Sequence, residues 1–389
     1  MKKKEDKYKE DGVNIEEGDN FSAYAAKICQ STYHNSPHVK ILDMSAGNFR
    51  GPRGYKLTKL PRGCVQTIAP DGIGTKVVLI DAVHTYENAA RDVFAMTVHD
   101  ISRWGGLPLV FSNVIDFNTI GEKGDPTNQA ARAVLWGVKE AAQETKTVFL
   151  NGETAELGMC VFSENPTANL KFNWAGFVVG VYHPKKMILG NTLEPGQIIM
   201  ALKENGFRSN GISSVRKALK IRYGECWWTN PRAFKDIKAA AEPSVLYSHF
   251  LSVLHGWHSS HFKPTIRLHL VVHLSGGAFQ SKLAEDILFP QGFSAVLDDL
   301  YEPPDIMSKC AKWRGMSEAE CYKTWNGGQG MIVVIDAEAE LLFTDLAQSF
   351  GITAQKCGQI KDSRRSGSKV VIESKFGQGE TIEFRPKVK

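Results

Sequence analysis

Several familiar signatures are missing, and each absence removes a class of protein. The chain has seven cysteines, an odd number, scattered at 29, 64, 160, 226, 310, 321 and 357 with no C-x-x-C spacing. That pattern argues against a disulfide framework or a cysteine zinc site and predicts reduced thiols in a cytoplasmic protein. No apolar run approaches the roughly 18 residues a membrane span needs. The opening MKKKEDKYKEDG carries charges of both signs and no apolar core, so it is not expected to be a signal peptide. Neither sign of charge dominates: 47 basic against 42 acidic residues leave +5 over 389 positions. No nucleic-acid partner is therefore expected, because one would need clustered basic residues.

What is present is ordinary globular composition, with 42% apolar and 23% charged residues, in a chain too long for one usual core. Two domains are expected. The stretch 183–197 holds Pro184, Gly190, Pro195 and Gly196, which sets the expected domains at 1–188 and 189–389. The glycine-rich segment 45–63 reads as a loop. Beyond it, strand patterns fall at 65–69, 76–82, 109–116, 147–150 and 174–182, and helical spacing at 88–104 and 127–144. The second half alternates again: strands at 198–202, 268–274 and 331–335, helices around 213–219, 279–288 and 337–350. The expected class is α+β or α/β.

The first chemical question is posed by APDGIGTKVV, Ala69 to Val78, where an acid, two glycines, a threonine and a lysine lie between Asp71 and Lys76. It is not the G-x-x-x-x-G-K-[ST] phosphate loop. On the following helix Asp92 and His99 share a face, with Asp100 beside them; solvated surface acids and a binding site are both open readings. NGETAELGMC (Asn151–Cys160) follows a buried strand, so Glu153 and Glu156 stand either at a crevice or at a helix N-terminus. In the second half, GFRSNG ends in Ser209, Asn210 and Gly211 before a helix: an anion site beside Arg208, or plain capping. HLSGGAF, with Gly276 and Gly277, and TWNGGQGM, with Asn326, repeat the strand–glycine pattern. His255, His258 and His261 recur every three residues, but no carboxylate or cysteine joins them, which favours packing over a metal.

In this order the motifs resemble one family, phosphoribosylformylglycinamidine cyclo-ligase or AIR synthetase, from about residue 8 to 372. YKEDGVNIEEGD looks like its opening, and DGIGTK like D-G-V-G-T-K. RDVFAMTVHDISRWGGLP is similar to D-L-V-A-M-x-V-N-D-L and the turn after it. NGETAE resembles G-G-E-T-A-E, and WAGFVVG resembles A-G-F-x-V-G. GFRSNGISSVRK resembles G-x-H-S-N-G-x-S-L-V-R-K, HLSGGAF resembles H-x-T-G-G-G, and WNGGQGM resembles F-N-x-G-x-G-M.

The resemblance implies a two-domain fold, with a β-rich N-terminal domain that binds ATP and forms a homodimer and a C-terminal α/β domain. It implies magnesium held by Asp71, Asp100 and Glu153, with Asp92 nearby. It implies ATP contacts at Asp71, Gly72, Gly74, Thr75, Lys76, Asp92, Asp100 and Glu153, Lys76 facing the phosphates. Lys76, Asp100 and Arg208 are the expected catalytic residues. Arg208, Ser209, Asn210, Gly276, Gly277 and Asn326 are the expected contacts to formylglycinamidine ribonucleotide. The implied reaction is ATP-driven ring closure to aminoimidazole ribonucleotide, ADP and phosphate. The alternatives are another ATP-using enzyme of the superfamily, of the selenophosphate synthetase or thiamine-phosphate kinase type or the preceding amidotransferase step, and a non-catalytic nucleotide-binding relative. This chain departs from the motifs at Arg208 for histidine, His99 for asparagine and Asn151 for glycine. A histidine at 208 can move protons near neutral pH; an arginine cannot.

Overall fold

In a computed structural model, residues 15–44, 52–259, 261–363 and 367–387 are described. The chain divides into two compact units: Met1–Val98 with Pro108–Val181, and His99–Leu107 with Tyr182–Lys389.

The first unit holds helix α1 (Ile15–Thr32), the hairpin of β1 (Val39–Asp43) and β2 (Arg53–Leu57), β3 (Val65–Gly72), α2 (Val77–Val83), α3 (Ala89–Ser102), β4 (Leu107–Phe117), α4 (Pro126–Thr145), β5 (Val148–Glu156) and β6 (Phe172–Tyr182). Its main sheet runs β3-β6-β4-β5, with β4 and β5 parallel. Helix α4 shows how sequence sets the packing. Asp125 caps it by accepting the Asn128 N–H at 2.8 Å, and Pro126 follows at a position whose N–H would be unpaired anyway. Ala131, Val134, Leu135, Val138 and Ala142 then recur at helical spacing on its buried face.

Gly137 on α4 is needed for close approach. A Cβ there would lie 1.9 Å from the Glu87 carbonyl oxygen, inside any contact distance. Alanine is the better helix former by about 1 kcal/mol. The overlap is with backbone, which cannot swing aside, so Gly137→Ala is expected to destabilise by about 2 kcal/mol net. Urea unfolding followed by fluorescence measures this.

The second unit carries β7 (Ile198–Lys203), α5 (Ile212–Tyr223), α6 (Phe234–Ala240), α7 (Ser248–His255), β8 (Leu270–His273), α8 (Phe279–Leu288, wound as a π-helix), β9 (Phe293–Leu297), α9 (Asp305–Arg314), α10 (Glu318–Thr324), β10 (Gln329–Ile335), α11 (Glu340–Ser349), β11 (Ala354–Asp362), β12 (Val370–Glu373) and β13 (Thr381–Phe384). Its sheet is ordered β13-β12-β9-β11-β7-β10-β8 and is antiparallel except for the β12–β9 pair. β10, buried at every position, sits between β7 and β8. Met200, Leu202, Val271, Met331 and Val333 from these strands pack with Phe250, Leu251 and Leu254 of α7 and Phe343 of α11. Mixed helices and sheets in both units match the expected class.

Two local expectations are corrected. Residues 76–82 form a helix: Gly74, at φ 61°, opens a 3-10 turn over Gly74–Lys76, and α2 follows. An apolar run of this length reads equally as strand or buried helix. NGETAE does not open a helix; it continues β5, paired to β4 through Glu156. Of the expected glycine-rich loop, 45–51 lie outside the described residues, as does the start of the motif resemblance at 8–14; Gly54 is within β2, opposite Leu42.

Candidate active site

In the first unit, the stretch from Asp71 to Lys76 is a tight turn built on backbone. Asp71 Oδ1 accepts the Gly72 N–H at 2.7 Å, and the Ile73 N–H reaches the Trp174 carbonyl at 3.1 Å. Gly74 and Thr75 are exposed, and Asp71 and Gly72 are partly so. Lys76 is fully buried, and its Nζ lies 2.8 Å from Oδ1 of Asp92, also fully buried on α3. Lys76 and Asp92 are thus brought together, and the solvated-acid reading of Asp92 is overturned. Asp71 and Glu153 stand on the two edge strands of the sheet, with β6 and β4 between them. Three inter-strand spacings separate those strands by about 14 Å. Glu153 is exposed. Among the described residues no three His, Cys, Asp or Glu side chains are grouped closely enough to hold a metal ion.

In the second unit, the last turn of α3 enters a buried polar cluster. His99 and Arg208 are both fully buried, and Arg208 Nη2 donates toward His99 Nδ1 at 2.8 Å. Arg208 Nη1 donates to Glu204 Oε2 at 3.1 Å, within a pair that is wholly buried. On its other side His99 Nε2 faces the Tyr247 N–H at 2.9 Å, and the ring stacks on Tyr247 with centroids 5.4 Å apart. A neutral imidazole accepts at one nitrogen, so the two donors compete for it. Asp100 is more open, its side chain 39% exposed, with Arg103 Nε at 3.5 Å and His273 Nδ1 at 3.6 Å.

The electrostatics follow from burial. His99 is held well below the usual imidazole range by burial first, then by the charge of Arg208. His273 is lowered likewise, by burial, then Arg208, Arg103 and Lys282. Both rings are therefore neutral near pH 7. Burial pushes the Asp100 carboxyl up, while Arg103, Lys282 and Arg208 pull the other way.

His273 joins this cluster, though spacing does not single it out. It is 1% exposed, and its ring nitrogens find no hydrogen-bond partner among the described residues. Its signal in the sequence is the first letter of HLSGGAF, less conspicuous than the glycines that follow. Ser209 Oγ is likewise buried and unpartnered among the described residues. The capping alternative for Ser209 and Asn210 does not hold: Gly211, at φ 67°, is the N-cap of α5, with no side-chain cap. Gly276 does lie near Asn210, since a Cβ there would stand 3.7 Å from Asn210 Oδ1. Gly277 takes φ 83°, and Ala278, the next residue, is forced to φ 35° where the resembled motif has glycine. Such a backbone costs a non-glycine residue about 1–3 kcal/mol. Asn326 holds a turn together, its Nδ2 donating to the Gly206 carbonyl at 2.9 Å and its Oδ1 accepting the Gly328 N–H at 2.8 Å.

The histidine triplet disperses. His255 is buried against Phe262, with ring centroids 5.7 Å apart, whereas His258 meets His249 edge to face. Burial is the largest influence on His255 and lowers it to about 4. The folded form therefore resists protonation that the unfolded chain accepts near pH 6.5. Stability contributed by the neutral ring is full above about 6.5 and is lost as pH falls toward 4. On that basis the melting temperature of the wild-type chain is expected to fall more steeply between pH 7 and 5 than that of His255→Gln.

Both units have counterparts among known proteins. Residues 56–181 match the family described as AIR synthase related protein, N-terminal domain, and residues 194–371 match its C-terminal domain. The chain belongs to the AIR synthase related family. A phosphoribosylformylglycinamidine cyclo-ligase of Rippkaea orientalis is 28% identical over 371 residues, covering 94% of this chain and 99% of the relative. One from Leptospira interrogans is 29% identical over 356 residues, covering 91% of this chain and 95% of the relative. The hydrogenase maturation protein HypE, solved in complex with ATP, superposes with a TM-score of 0.53 at 13% identity, covering 93% of this chain and 92% of that one. That likeness shows the fold. No helix among the described residues is long and apolar enough to cross a membrane.

Proposed function

We propose that this chain is an ATP-dependent cyclo-ligase that closes formylglycinamidine ribonucleotide to aminoimidazole ribonucleotide, releasing ADP and phosphate, as a cytoplasmic homodimer. The observation that carries the reading is the end-to-end match to cyclo-ligases, 99% of one relative's length, with both family domains in order.

The donor set suits the cofactors. Asp71, Asp100 and Glu153 offer carboxylate oxygens, the ligands a hard cation prefers, and Mg²⁺ is usually held by one or two carboxylates together with phosphate oxygens. When bound, Mg²⁺ neutralises phosphate charge. Asp71 and Glu153 lie on opposite edges of one sheet, so the proposed homodimer supplies a route by which acids from two copies meet one nucleotide. In the exposed turn, Gly74 and Thr75 are proposed to approach the nucleotide phosphates with backbone N–H groups, with Gly72 keeping the chain close beside them. Lys76, paired to Asp92, fixes that turn from below.

The ring closure itself asks for little covalent help. ATP transfers its terminal phosphoryl group to the formyl oxygen, which converts a poor leaving group into phosphate. The amidine nitrogen then attacks that carbon, the carbon–oxygen bond breaks, and the proton lost from nitrogen passes to a nearby base or to water. Such transfers depend on positioning and charge neutralisation. The half-exposed Asp100 carboxylate is proposed to orient the reacting groups. The neutral His273 and the hydroxyl of Ser209 are proposed to donate hydrogen bonds to the ribonucleotide.

Incubation with ATP, Mg²⁺ and formylglycinamidine ribonucleotide tests this, with ADP and aminoimidazole ribonucleotide followed together. Equal production of both is the expected result. ADP without the imidazole would indicate a different acceptor, and ATP binding without turnover would indicate a non-catalytic relative.

A further inference from the structure

Two of the places where this chain departs from the resembled motifs, His99 just before Asp100 and Arg208 just before Ser209, lie 109 positions apart in sequence and touch in space. We infer that Glu204, Arg208 and His99 form one buried strut that positions the Asp100 carboxylate, with Arg208 acting through His99 rather than on substrate. The inference rests on the cyclo-ligase reading for its activity readout and on geometry for the rest.

The strut is anchored at both ends. Glu204 Oε1 accepts the Asn205 N–H at 3.1 Å, and its carboxylate also faces the Val245 N–H at 3.3 and 3.4 Å. Tyr247 Oη stands 3.5 Å from Glu204 Oε2 and donates to the Lys203 carbonyl at 2.6 Å. That fixes the carboxylate. Arg208 then bridges with its planar fork, one nitrogen on Glu204 and one on His99. Its side chain is 0% exposed, so both charge and fork are committed inside the protein. Its backbone is held at φ 57°, a conformation that persists in a non-glycine residue only when its surroundings enforce it. At the far end, the His99 ring is clamped between Arg208, Tyr247 and the edge of His273, whose centroid is 5.3 Å away. Asp100 is the next residue on the same helical turn. A ring held on three sides holds the backbone that carries it, so losing the clamp lets the last turn of α3, and Asp100 with it, shift.

Arginine at 208 therefore does not stand in for a proton-shuttling histidine. Nor is it a phosphate ligand, because a cation so enclosed reaches no ligand without dismantling its pair with Glu204. Arg208 and His99 share one buried hydrogen bond, so removing either partner leaves the other's polar group unmatched, which predicts strong coupling between 99 and 208.

The test is a double-mutant cycle with His99→Leu, Arg208→Met and both together, joined by two conservative variants, His99→Asn and Arg208→Lys. Asparagine places an acceptor close to where Nδ1 stands, while lysine keeps the charge but not the fork. Expected are at least tenfold losses in kcat for His99→Leu, Arg208→Met and Arg208→Lys, with KM for both substrates within about threefold of wild type. The double variant should lose no more than the worse single, and its unfolding constant should fall at least tenfold below the product of the singles. His99→Asn should recover most of the loss. Additive effects would overturn the strut, as would a raised KM for the ribonucleotide at unchanged kcat in Arg208→Lys, or equal losses for His99→Asn and His99→Leu. If the wild-type chain shows no turnover, the cyclo-ligase reading fails, but the unfolding cycle and the asparagine rescue in melting temperature still decide the strut. Arg208→Lys supplies that cycle should Arg208→Met not fold.

Discussion

Asp92→Ala is expected to lower the melting temperature by about 10 °C, with Lys76→Met close behind. Each change strands one charge of a pair in which neither side chain has any exposure. Removing one partner of such a pair typically costs 3–5 kcal/mol, because the survivor must stay charged without its counter-ion or give up its charge. In units of this size each kcal/mol corresponds to about 2–4 °C. The double change Lys76→Met/Asp92→Leu should recover most of the loss, since an apolar pair of similar volume carries no desolvation penalty. That double variant also separates two roles. If it melts near wild type yet no longer binds ATP, the Lys76 ammonium reaches the nucleotide as well as Asp92. If it still binds ATP, Lys76 serves the turn alone and the phosphates are met by backbone N–H groups at Gly74 and Thr75. Differential scanning fluorimetry and calorimetric ATP titration give both answers.

The same pair marks where a sequence stops being legible. Most strands and helices are readable because each has a length and period that one structure satisfies; α4 and β10 are examples. The segment 76–82 is not, since seven residues dominated by apolar side chains carry no period of their own. Asp92 reads as a surface acid on frequency grounds, because its burial depends on a lysine from another element 16 positions away. The extension of β5 through NGETAE is hidden by polar residues that an edge strand accepts on its open side. Motif order points to the family, and it draws attention to Asp71, Asp100, Glu153 and Arg208 by residue type. It does not show that Arg208 meets His99, or that His273 faces Asp100, because those contacts join segments with no sequence relation. His99 and Arg208, two of the departures from the motifs, read as separate oddities in one dimension and as one contact in three.

Asp100→Asn should show the opposite balance from Asp92→Ala: turnover lower by about two to three orders of magnitude, with the melting temperature within about 2 °C of wild type. Asp100 contributes little to the fold. Its nearest partners, the Arg103 guanidinium at 3.5 Å and the neutral His273 ring at 3.6 Å, lie beyond good hydrogen-bond distance, and its side chain is 39% exposed. Ion pairs of that kind are worth at most about 1 kcal/mol. Burial also disfavours its charged form, so an amide of the same shape relieves a penalty as it gives up an attraction. Its chemistry is another matter. The carboxylate is partly open, partly desolvated and beside the cluster of His99, His273 and Arg208, which is where the proposed reading puts the reacting groups. Loss of one positioned electrostatic group commonly costs about 100- to 1000-fold in rate. Steady-state assays of ADP and imidazole product, set against melting curves, distinguish the cases. A melting loss as large as that of Asp92→Ala would make Asp100 a structural acid. Unchanged turnover would move the reacting groups away from the end of α3 altogether.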